Sequence, residues 1–176
     1  MVTSCDIKAS RPFRAVCGSD DSTTVFYHGV PFKFEKTLKE HTRFVNCVRY
    51  NTSGSHFATV SSDGHVFLYD GKTGDLVREL GSPAHKGGIY ACSWNKEGTK
   101  LLTASGDKTA KIFDIESGSG KLKTILKYVS FKMNLVVNDF QMGTEVCHQQ
   151  LGCLWQNDHL LSIGLNGFIN YLDPNT

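Results

Sequence analysis

A ten-residue frame that recurs along the chain constrains its fold more than any other feature. In each copy, a turn with an acidic or amide side chain leads into an apolar-rich strand that ends in bulky residues. The two clearest copies place Asp63 and Asp107 44 residues apart. The copies occupy residues 19–27, 61–70, 105–114 and, more loosely, 164–173. A fixed internal period indicates a repeat architecture in which each unit packs against its neighbours.

A second set of markers keeps the same register. His41 precedes Asp63 by 22 residues, and His85 precedes Asp107 by the same number. Two further pairs repeat at the 44-residue spacing: Tyr50 with Trp94, and Gly54 with Gly98. Several independent markers that agree on one period argue against a chance match.

This period is typical of WD repeats, which run for about 40–45 residues and build one blade of four strands each. The Trp-Asp and Gly-His pairs of that repeat are relaxed here. In their places stand Tyr69-Asp70, Phe113-Asp114, Leu172-Asp173, Glu40-His41 and Ala84-His85. We therefore predict an all-β fold of four-stranded antiparallel β-propeller blades. The strands of the second blade are predicted at about 44–50, 55–60, 65–70 and 75–80. Those of the third blade are predicted at about 88–94, 99–104, 109–114 and 121–126.

The repeat divides the chain into five segments. They are a partial blade over 1–38, blades over 39–81 and 82–126, an insertion or loop over 127–141, and a partial blade over 142–176. The insertion is inferred because Asn166 follows Asp107 by 59 residues, 15 more than the repeat. Val129-Ser130 and Phe140-Gln141 can be encoded by sequences that resemble a splice donor and an acceptor. We hypothesise that much of this segment is retained intron sequence, and we expect it to pack poorly.

Composition leaves few function classes open. The net charge is +2 with His neutral, and Lys and Arg are scattered among acidic residues, so we expect no nucleic-acid partner. No apolar run approaches the roughly 20 residues that a membrane helix needs, and residues 1–14 lack the apolar core of a signal peptide. We therefore expect a cytoplasmic protein that binds no membrane, no cofactor and no small-molecule substrate.

The six cysteines show no spacing typical of a metal site. None form a Cys-x-x-Cys pair, and the closest two, Cys147 and Cys153, have no matching second pair. We interpret Cys17, Cys47 and Cys92 as small buried thiols, because they lie in predicted strands among apolar neighbours.

The repeated His and Asp residues permit two interpretations. One is a catalytic pair, and the other is a buried hydrogen-bond relay that ties a loop to the turn between two strands. We favour the relay and predict no catalytic residues, because a catalytic site is not expected in two adjacent copies. A buried polar network is tolerated only when its members are satisfied. The predicted relay, with Ser61 and Ser105 as its strand hydroxyls, comprises His41, Ser61, Asp63, His85, Ser105 and Asp107.

Several stretches are longer and more specific than the generic repeat, and they resemble the actin-interacting protein 1 family, WD-repeat cofactors of cofilin. These stretches are residues 31–34, 41–50, 69–74, 87–90, 105–109 and 149–155. Members of that family have two linked seven-bladed propellers. The resemblance therefore implies a partial seven-bladed propeller here, with about four blades. It also implies binding to actin filaments and cofilin, disassembly of cofilin-decorated filaments, and a place in the cytoplasmic actin cytoskeleton.

The resemblance further implies three filament-facing residues, Asp20, Phe34 and Phe44. The repeat alignment agrees in part, since Asp21 and not Asp20 aligns with Asp63, which leaves Asp20 free of the relay. Phe44 follows a loop, where an exposed aromatic ring would suit an interface anchor. The alternatives are packing between blades for both Phe residues and a solvated turn for Asp20.

Two other functions stay open. A generic WD-repeat adaptor for another protein or peptide is favoured if Asp20, Phe34 and Phe44 do not share one surface. An incomplete isoform without function is the other alternative, because four blades cannot close a seven-bladed ring and open ends expose strand edges. We do not expect an enzyme.

Overall fold

The chain forms four antiparallel sheets of four strands each in a computed structural model that describes residues 1–115, 122–126, 129–130, 146–157 and 159–172. The first sheet contains β1 (Val2–Ile7), β2 (Arg14–Ser19), β3 (Thr24–His28) and β4 (Lys33–Leu38). The second contains β5 (Val45–Tyr50), β6 (His56–Ser61), β7 (Val66–Asp70) and β8 (Leu76–Glu79). The third contains β9 (Ile89–Trp94), β10 (Lys100–Ser105), β11 (Ala110–Asp114) and β12 (Leu122–Leu126). The fourth contains β13 (Val129–Ser130), β14 (Gln150–Gln156), β15 (His159–Gly164) and β16 (Ile169–Leu172), with a short 3-10 helix (Val146–His148) before β14.

The predicted all-β fold of four-stranded antiparallel blades is confirmed. The eight strands of the second and third sheets agree with the predicted bounds to within one residue at each end. In each of the first three sheets the strands follow one another in chain order, as consecutive hairpins require.

A repeated turn explains why the frame in the sequence recurs. In the first three sheets the turn between the second and third strands carries a side-chain oxygen that accepts a hydrogen bond from the amide two residues later, and the turn between β15 and β16 does the same in the fourth sheet. The acceptors and donors are Asp21 and Thr23 at 3.0 Å, Asp63 and His65 at 2.9 Å, Asp107 and Thr109 at 3.0 Å, and Asn166 and Phe168 at 3.1 Å. We call the end of the sheets that carries these four turns the turn end.

The sheets pack face to face, with one edge strand of each side by side: β1 contacts β5, β5 contacts β9, and β9 contacts β14. Between the first two sheets, the buried Phe57 ring stacks on Phe26 at 5.9 Å and on Tyr69 at 4.9 Å. Other apolar clusters fill the space between the second and third sheets and between the third and fourth. Each sheet therefore buries apolar surface against its neighbour, as blades of a propeller do.

Two segments differ from the predicted blade division. The first sheet is complete over 1–38, because β1 supplies an additional strand that the repeat frame does not mark. The fourth sheet takes β13 from within the predicted insertion, where Val129 pairs with Tyr171 and Ser130 with Asn170. The rest of the 127–141 segment, and Asp173, lie outside the described residues.

Candidate functional site

The second sheet contains a buried polar relay at its turn end. The Nδ1 atom of His41 lies 3.0 Å from Asp63 Oδ2, and its Nε2 atom lies 2.8 Å from Thr59 Oγ1. Both contacts are satisfied when the imidazole donates its Nδ1 proton to the carboxylate and accepts from the hydroxyl at Nε2. The amide of Thr42 donates to the same Oδ2 atom at 2.9 Å. The carboxylate therefore joins the loop before β5 to the turn after β6.

The third sheet repeats this arrangement. His85 Nδ1 lies 2.9 Å from Asp107 Oδ2, and His85 Nε2 lies 2.8 Å from Thr103 Oγ1. The amide of Lys86 donates to Asp107 Oδ2 at 3.1 Å. The side chain of His85 is fully buried and that of Asp107 is 11% exposed, so a substrate has no access to the ring.

The strand hydroxyl on each imidazole differs from the sequence prediction. The prediction assigned Ser61 and Ser105, but the hydroxyls that contact the rings belong to Thr59 and Thr103. Ser61 instead donates to the Arg43 carbonyl at 3.0 Å and accepts from the Asp63 amide at 3.1 Å, and Ser105 binds its loop in the same way. The physical reason is depth: the His ring reaches past the turn into the sheet, to the residue two positions earlier on the strand.

The fourth sheet carries a different buried network at the equivalent place. Ser162, four residues before Asn166 as Thr103 is before Asp107, donates to Gln150 Oε1 at 2.8 Å. Asn170 donates to the same oxygen at 3.2 Å. An amide thus replaces the imidazole, and the sequence frame gave no signal for this substitution.

The relay carboxylates are held in their charged form. Burial opposes ionisation of Asp63, but hydrogen bonds from His41 and from backbone amides outweigh it and keep the pKa of Asp63 well below its usual range. The pKa of Asp107 is lowered in the same way against burial, by His85, Thr109 and the Lys86 amide. Burial lowers the pKa of His85, and its contact with Asp107 only partly offsets that effect. The geometry and charges together describe a neutral imidazole on an ionised carboxylate.

The loop that carries His85 also rests on the preceding sheet. The His85 amide donates to the Gly64 carbonyl at 3.0 Å. Gly64 has a φ of +83°, and a Cβ atom there would lie 2.7 Å from the His85 carbonyl oxygen. The equivalent Ser22 and Lys108 have a positive φ with a side chain, so it is the close approach of the next blade that requires glycine after Asp63. The relay positions neighbouring blades as well as its own strands.

Phe44 lies at the turn end with its backbone fixed and its side chain exposed. Its carbonyl accepts from the Ser62 amide at 3.0 Å, while 56% of the residue is accessible to solvent. The equivalent residue of the third blade is Gly88, whose carbonyl accepts from the Gly106 amide at 2.8 Å. At Gly88 a Cβ would lie only 3.2 Å from Ser62 Cα. Equivalent backbone positions thus differ in what they carry. Phe44 presents an aromatic ring to solvent, whereas Gly88 closely contacts the turn of the preceding blade.

Asp20 lies at the same end, in the turn after β2. Its side chain is 38% exposed, and its carboxylate contacts the Met1 amino group and, at 3.3 Å, the Ser19 hydroxyl. The Thr3 hydroxyl links the two regions, because its proton is within hydrogen-bond reach of the Gly18 carbonyl, at 3.0 Å, and of the Val45 carbonyl. The Gly18 carbonyl is two residues from Asp20 along the chain, and the Val45 carbonyl is one residue from Phe44. The structure therefore brings Asp20 and Phe44 to one end of adjacent sheets.

Phe34 lies towards the opposite end. It pairs with Tyr27 near the start of β4, one step from the His28–Lys33 pair, whereas the turn end of β4 is at Leu38. The residue is 62% exposed, and its ring packs edge to face on Tyr27 with the ring centroids 6.5 Å apart. The expectation that Asp20, Phe34 and Phe44 lie together is not met. Phe34 is near the start of β4, and this strand reaches the turn end only at Leu38.

Two classes of site are absent from the described part of the chain. No three His, Cys, Asp or Glu residues within it are placed to hold a metal ion. None of its helices is long and apolar enough to cross a membrane.

Comparison with known proteins agrees with this architecture. The family model "WD domain, G-beta repeat" matches residues 32–70 and 74–114. WD repeat-containing protein 1 of Bos taurus is 55% identical over 176 residues, and actin-interacting protein 1 of Drosophila melanogaster is 46% identical over 172 residues. These matches cover 99% and 98% of this chain but 26% of each relative, so the chain spans about a quarter of their length.

A solved structure shows the same fold at low sequence identity. The WD40 β-propeller domain of Doa1 superposes with a TM-score of 0.71 at 18% identity, over 98% of this chain and 50% of that one. The sheets are therefore β-propeller blades, residues 32–70 and 74–114 match the WD repeat, and the predicted resemblance to actin-interacting protein 1 is confirmed over nearly the whole chain.

Proposed function

We propose that this chain is an actin-binding part of a WD-repeat scaffold that acts with cofilin to promote disassembly of actin filaments. The observation that carries the proposal is 46% identity, over 98% of the chain, to a protein named for its interaction with actin. Its place in the cell is then the cytoplasmic actin cytoskeleton. The proposed partners are actin filaments and cofilin, without nucleic acid, membrane or small-molecule substrate.

The proposed mechanism is binding without covalent chemistry. The His–Asp pairs are buried and repeated in adjacent blades, which supports a structural role for them. A scaffold that binds a severed or strained filament more tightly than an intact one shifts the equilibrium towards disassembly. No catalytic residue is needed for such a shift.

The turn end of the first two blades is the contact surface that we propose. An aromatic ring on a fixed backbone loses little conformational freedom when it is buried by a partner, and aromatic residues are frequent anchors of interfaces. Phe44 has these properties, and Asp20 adds a carboxylate on the neighbouring blade. Phe34 is exposed enough to contact a partner, but it would do so from the other end of the first blade.

A generic adaptor is the second candidate function. The separation of Phe34 from Asp20 and Phe44 favours it, because a single flat partner surface does not meet both ends of one blade. An incomplete form without function is the remaining alternative.

Co-sedimentation with actin filaments, with and without cofilin, tests the proposal. We expect the chain to pellet with filaments in a cofilin-dependent manner and Phe44→Ala to weaken this binding. Leu76→Ala, which shortens a 47% exposed side chain on β8, is the matched control and should bind normally. A folded chain that stays in the supernatant under both conditions contradicts the actin proposal and leaves the adaptor or the inactive form.

A further inference from the structure

Two cysteines face each other on neighbouring strands of the first blade. Cys5 on β1 pairs in register with Cys17 on β2, and their Sγ atoms are 3.0 Å apart. Cys5 is exposed and Cys17 is half-buried, so the interpretation of Cys17 as a small buried thiol does not hold. The repeat frame could not predict the pair, because the strand that contains Cys5 falls outside it.

The position of the pair in the ladder suits a covalent bond. The Lys8 amide donates to the Arg14 carbonyl at 2.9 Å, three steps along the same register. Hydrogen-bonded and non-hydrogen-bonded pairs alternate in an antiparallel ladder, so Cys5 and Cys17 form a non-hydrogen-bonded pair. Such pairs have Cα atoms about 4.5 Å apart and closely spaced side chains. A disulfide spans Cα separations from about 4.4 Å.

We propose that Cys5 and Cys17 form a redox modification site that closes to an intrachain disulfide on reaction with a small-molecule disulfide such as oxidised glutathione. The Cys5 thiolate attacks one sulfur of the oxidant, forms a mixed disulfide and releases one small thiolate. Cys17 then loses its proton and attacks the Cys5 sulfur, which forms the protein disulfide and releases the second thiolate. The two protein thiols lose two electrons, and the small disulfide gains them.

The order of these steps follows from exposure. Cys5 is open to solvent, so the oxidant reaches it first. Burial and the contact with Cys5 raise the pKa of Cys17 to about 12, which keeps Cys17 protonated and disfavours its direct reaction with the oxidant. A resolving thiol that already lies beside the first sulfur does not need to reach the oxidant.

The disulfide would fasten the strand that joins the first two blades. β1 alternates its side chains, and those on either side of Cys5 face the second blade. Ser4 Oγ accepts from the Val48 amide at 3.3 Å, and Asp6 Oδ2 accepts from the Tyr50 amide at 2.7 Å. Oxidation would therefore anchor to β2 a strand whose other contacts hold β5, and it would stabilise this junction between blades.

The chain offers an internal comparison in Cys47 and Cys92. Their Sγ atoms are 3.8 Å apart, but both residues are buried and they belong to different sheets. They have no in-register strand pairing, and they are 5% and 4% exposed, so a small-molecule disulfide has much less access to them than to Cys5. We expect this pair to remain reduced under conditions that close the first.

The test is oxidation of the reduced full chain with glutathione disulfide, followed by blocking of free thiols and peptide mass spectrometry. We expect a Cys5–Cys17 cross-linked peptide and free Cys47 and Cys92. The reaction of Cys17→Ser should stop at the mixed disulfide of Cys5 with glutathione. Cys5→Ser should not form the cross-link. Cys153→Ala, which removes another partly exposed thiol, should leave the cross-link unchanged.

Thermal unfolding supplies a second readout that does not depend on activity. The midpoint should fall when the oxidised wild type is reduced, and this shift should be absent in Cys17→Ser. Circular dichroism checks that each variant is folded. The proposal is overturned if the folded wild type accumulates only the mixed disulfide, or if its cross-links spread over all thiols as in a denatured sample.

Discussion

His85 Nε2 lies 2.8 Å from Thr103 Oγ1, deep in the third blade. We expect Thr103→Val to destabilise the chain by about 1–3 kcal/mol, because it keeps the shape of the side chain but leaves a buried imidazole nitrogen without a partner. Urea unfolding measures the free energy. His85→Ala should lose a similar amount, since it removes the imidazole partner of both Asp107 and Thr103. His28→Ala, whose side chain is 45% exposed, is the control and should change stability little.

A His85→Ala variant with unchanged stability and altered reactivity would contradict the structural role and support a catalytic one. The repeated geometry in the second blade makes the same test available at His41. The two sites are expected to respond alike, because their Nδ1 and Nε2 contacts agree within 0.1 Å of each other (3.0 and 2.9 Å, and 2.8 Å in both).

Stability should fall as the solution becomes acidic. The folded pKa of His85 lies below its ordinary value, and the pKa values of Asp63 and Asp107 lie well below theirs. At acidic pH the unfolded chain therefore binds more protons than the folded one, which lowers the free energy of unfolding. The loss should begin near pH ~6.5 from His85 and steepen below pH ~4 from the carboxylates.

Urea midpoints measured across this pH range check the prediction. Asp107→Asn should be less stable near neutral pH and should show a shallower decline below pH ~4, because one titrating carboxylate has been removed. An identical slope in wild type and variant would show that Asp107 does not control the acid dependence.

The repeat frame predicts the blades because it is generated by local requirements. The turn at Asp63 needs a short acceptor side chain, and the strand after it needs alternation, so both leave a pattern in the sequence. The identity of the hydroxyl that contacts the imidazole leaves no such pattern in the sequence. Thr59 and Ser61 lie on the same face of β6 and both carry hydroxyls, and only the depth of the His41 ring decides between them.

The relative positions of surface residues cannot be predicted from the sequence for a different reason. Phe34 and Phe44 are ten residues apart along the chain, yet β4 carries the backbone from one end of the blade to the other between them. An alignment that marks both residues as exposed contains no information on which end each occupies. The same holds for Cys5 and Cys17, which only the register of β1 with β2 brings together.

Phe44 and Phe57 should separate binding from folding. Phe44→Ala removes a 56% exposed ring, so we expect a stability change within about 0.5 kcal/mol. Phe57→Ala removes a fully buried ring between the first two blades and should cost about 3–5 kcal/mol. Urea unfolding checks both values. A large loss for Phe44→Ala would assign that ring to packing and remove it from the proposed contact surface.

The fourth blade exposes an apolar face that should promote self-association. Ile163 and Ile169 are cross-strand partners, 48% and 52% exposed, while Leu160 and Leu172 on the other face are buried against the third blade. We expect Ile163→Lys with Ile169→Lys to reduce concentration-dependent association, because adjacent apolar side chains on a sheet face favour contact with another molecule. Sedimentation velocity measures it, with Leu76→Lys as the control. Unchanged association in the double variant would place the contact elsewhere.

Two nested deletions distinguish the strand at 129–130 from the rest of the predicted insertion. Deleting 131–141 keeps β13, whereas deleting 127–141 removes the strand that pairs with β16 at Tyr171 and Asn170. We expect the longer deletion to be less stable than the shorter one by about 1–2 kcal/mol, because backbone hydrogen bonds of the ladder are lost. Urea unfolding of both variants gives the difference. Equal stability would mean that β13 contributes nothing to the fourth blade, and the whole segment would then be a dispensable connection, as the retained-intron hypothesis expects.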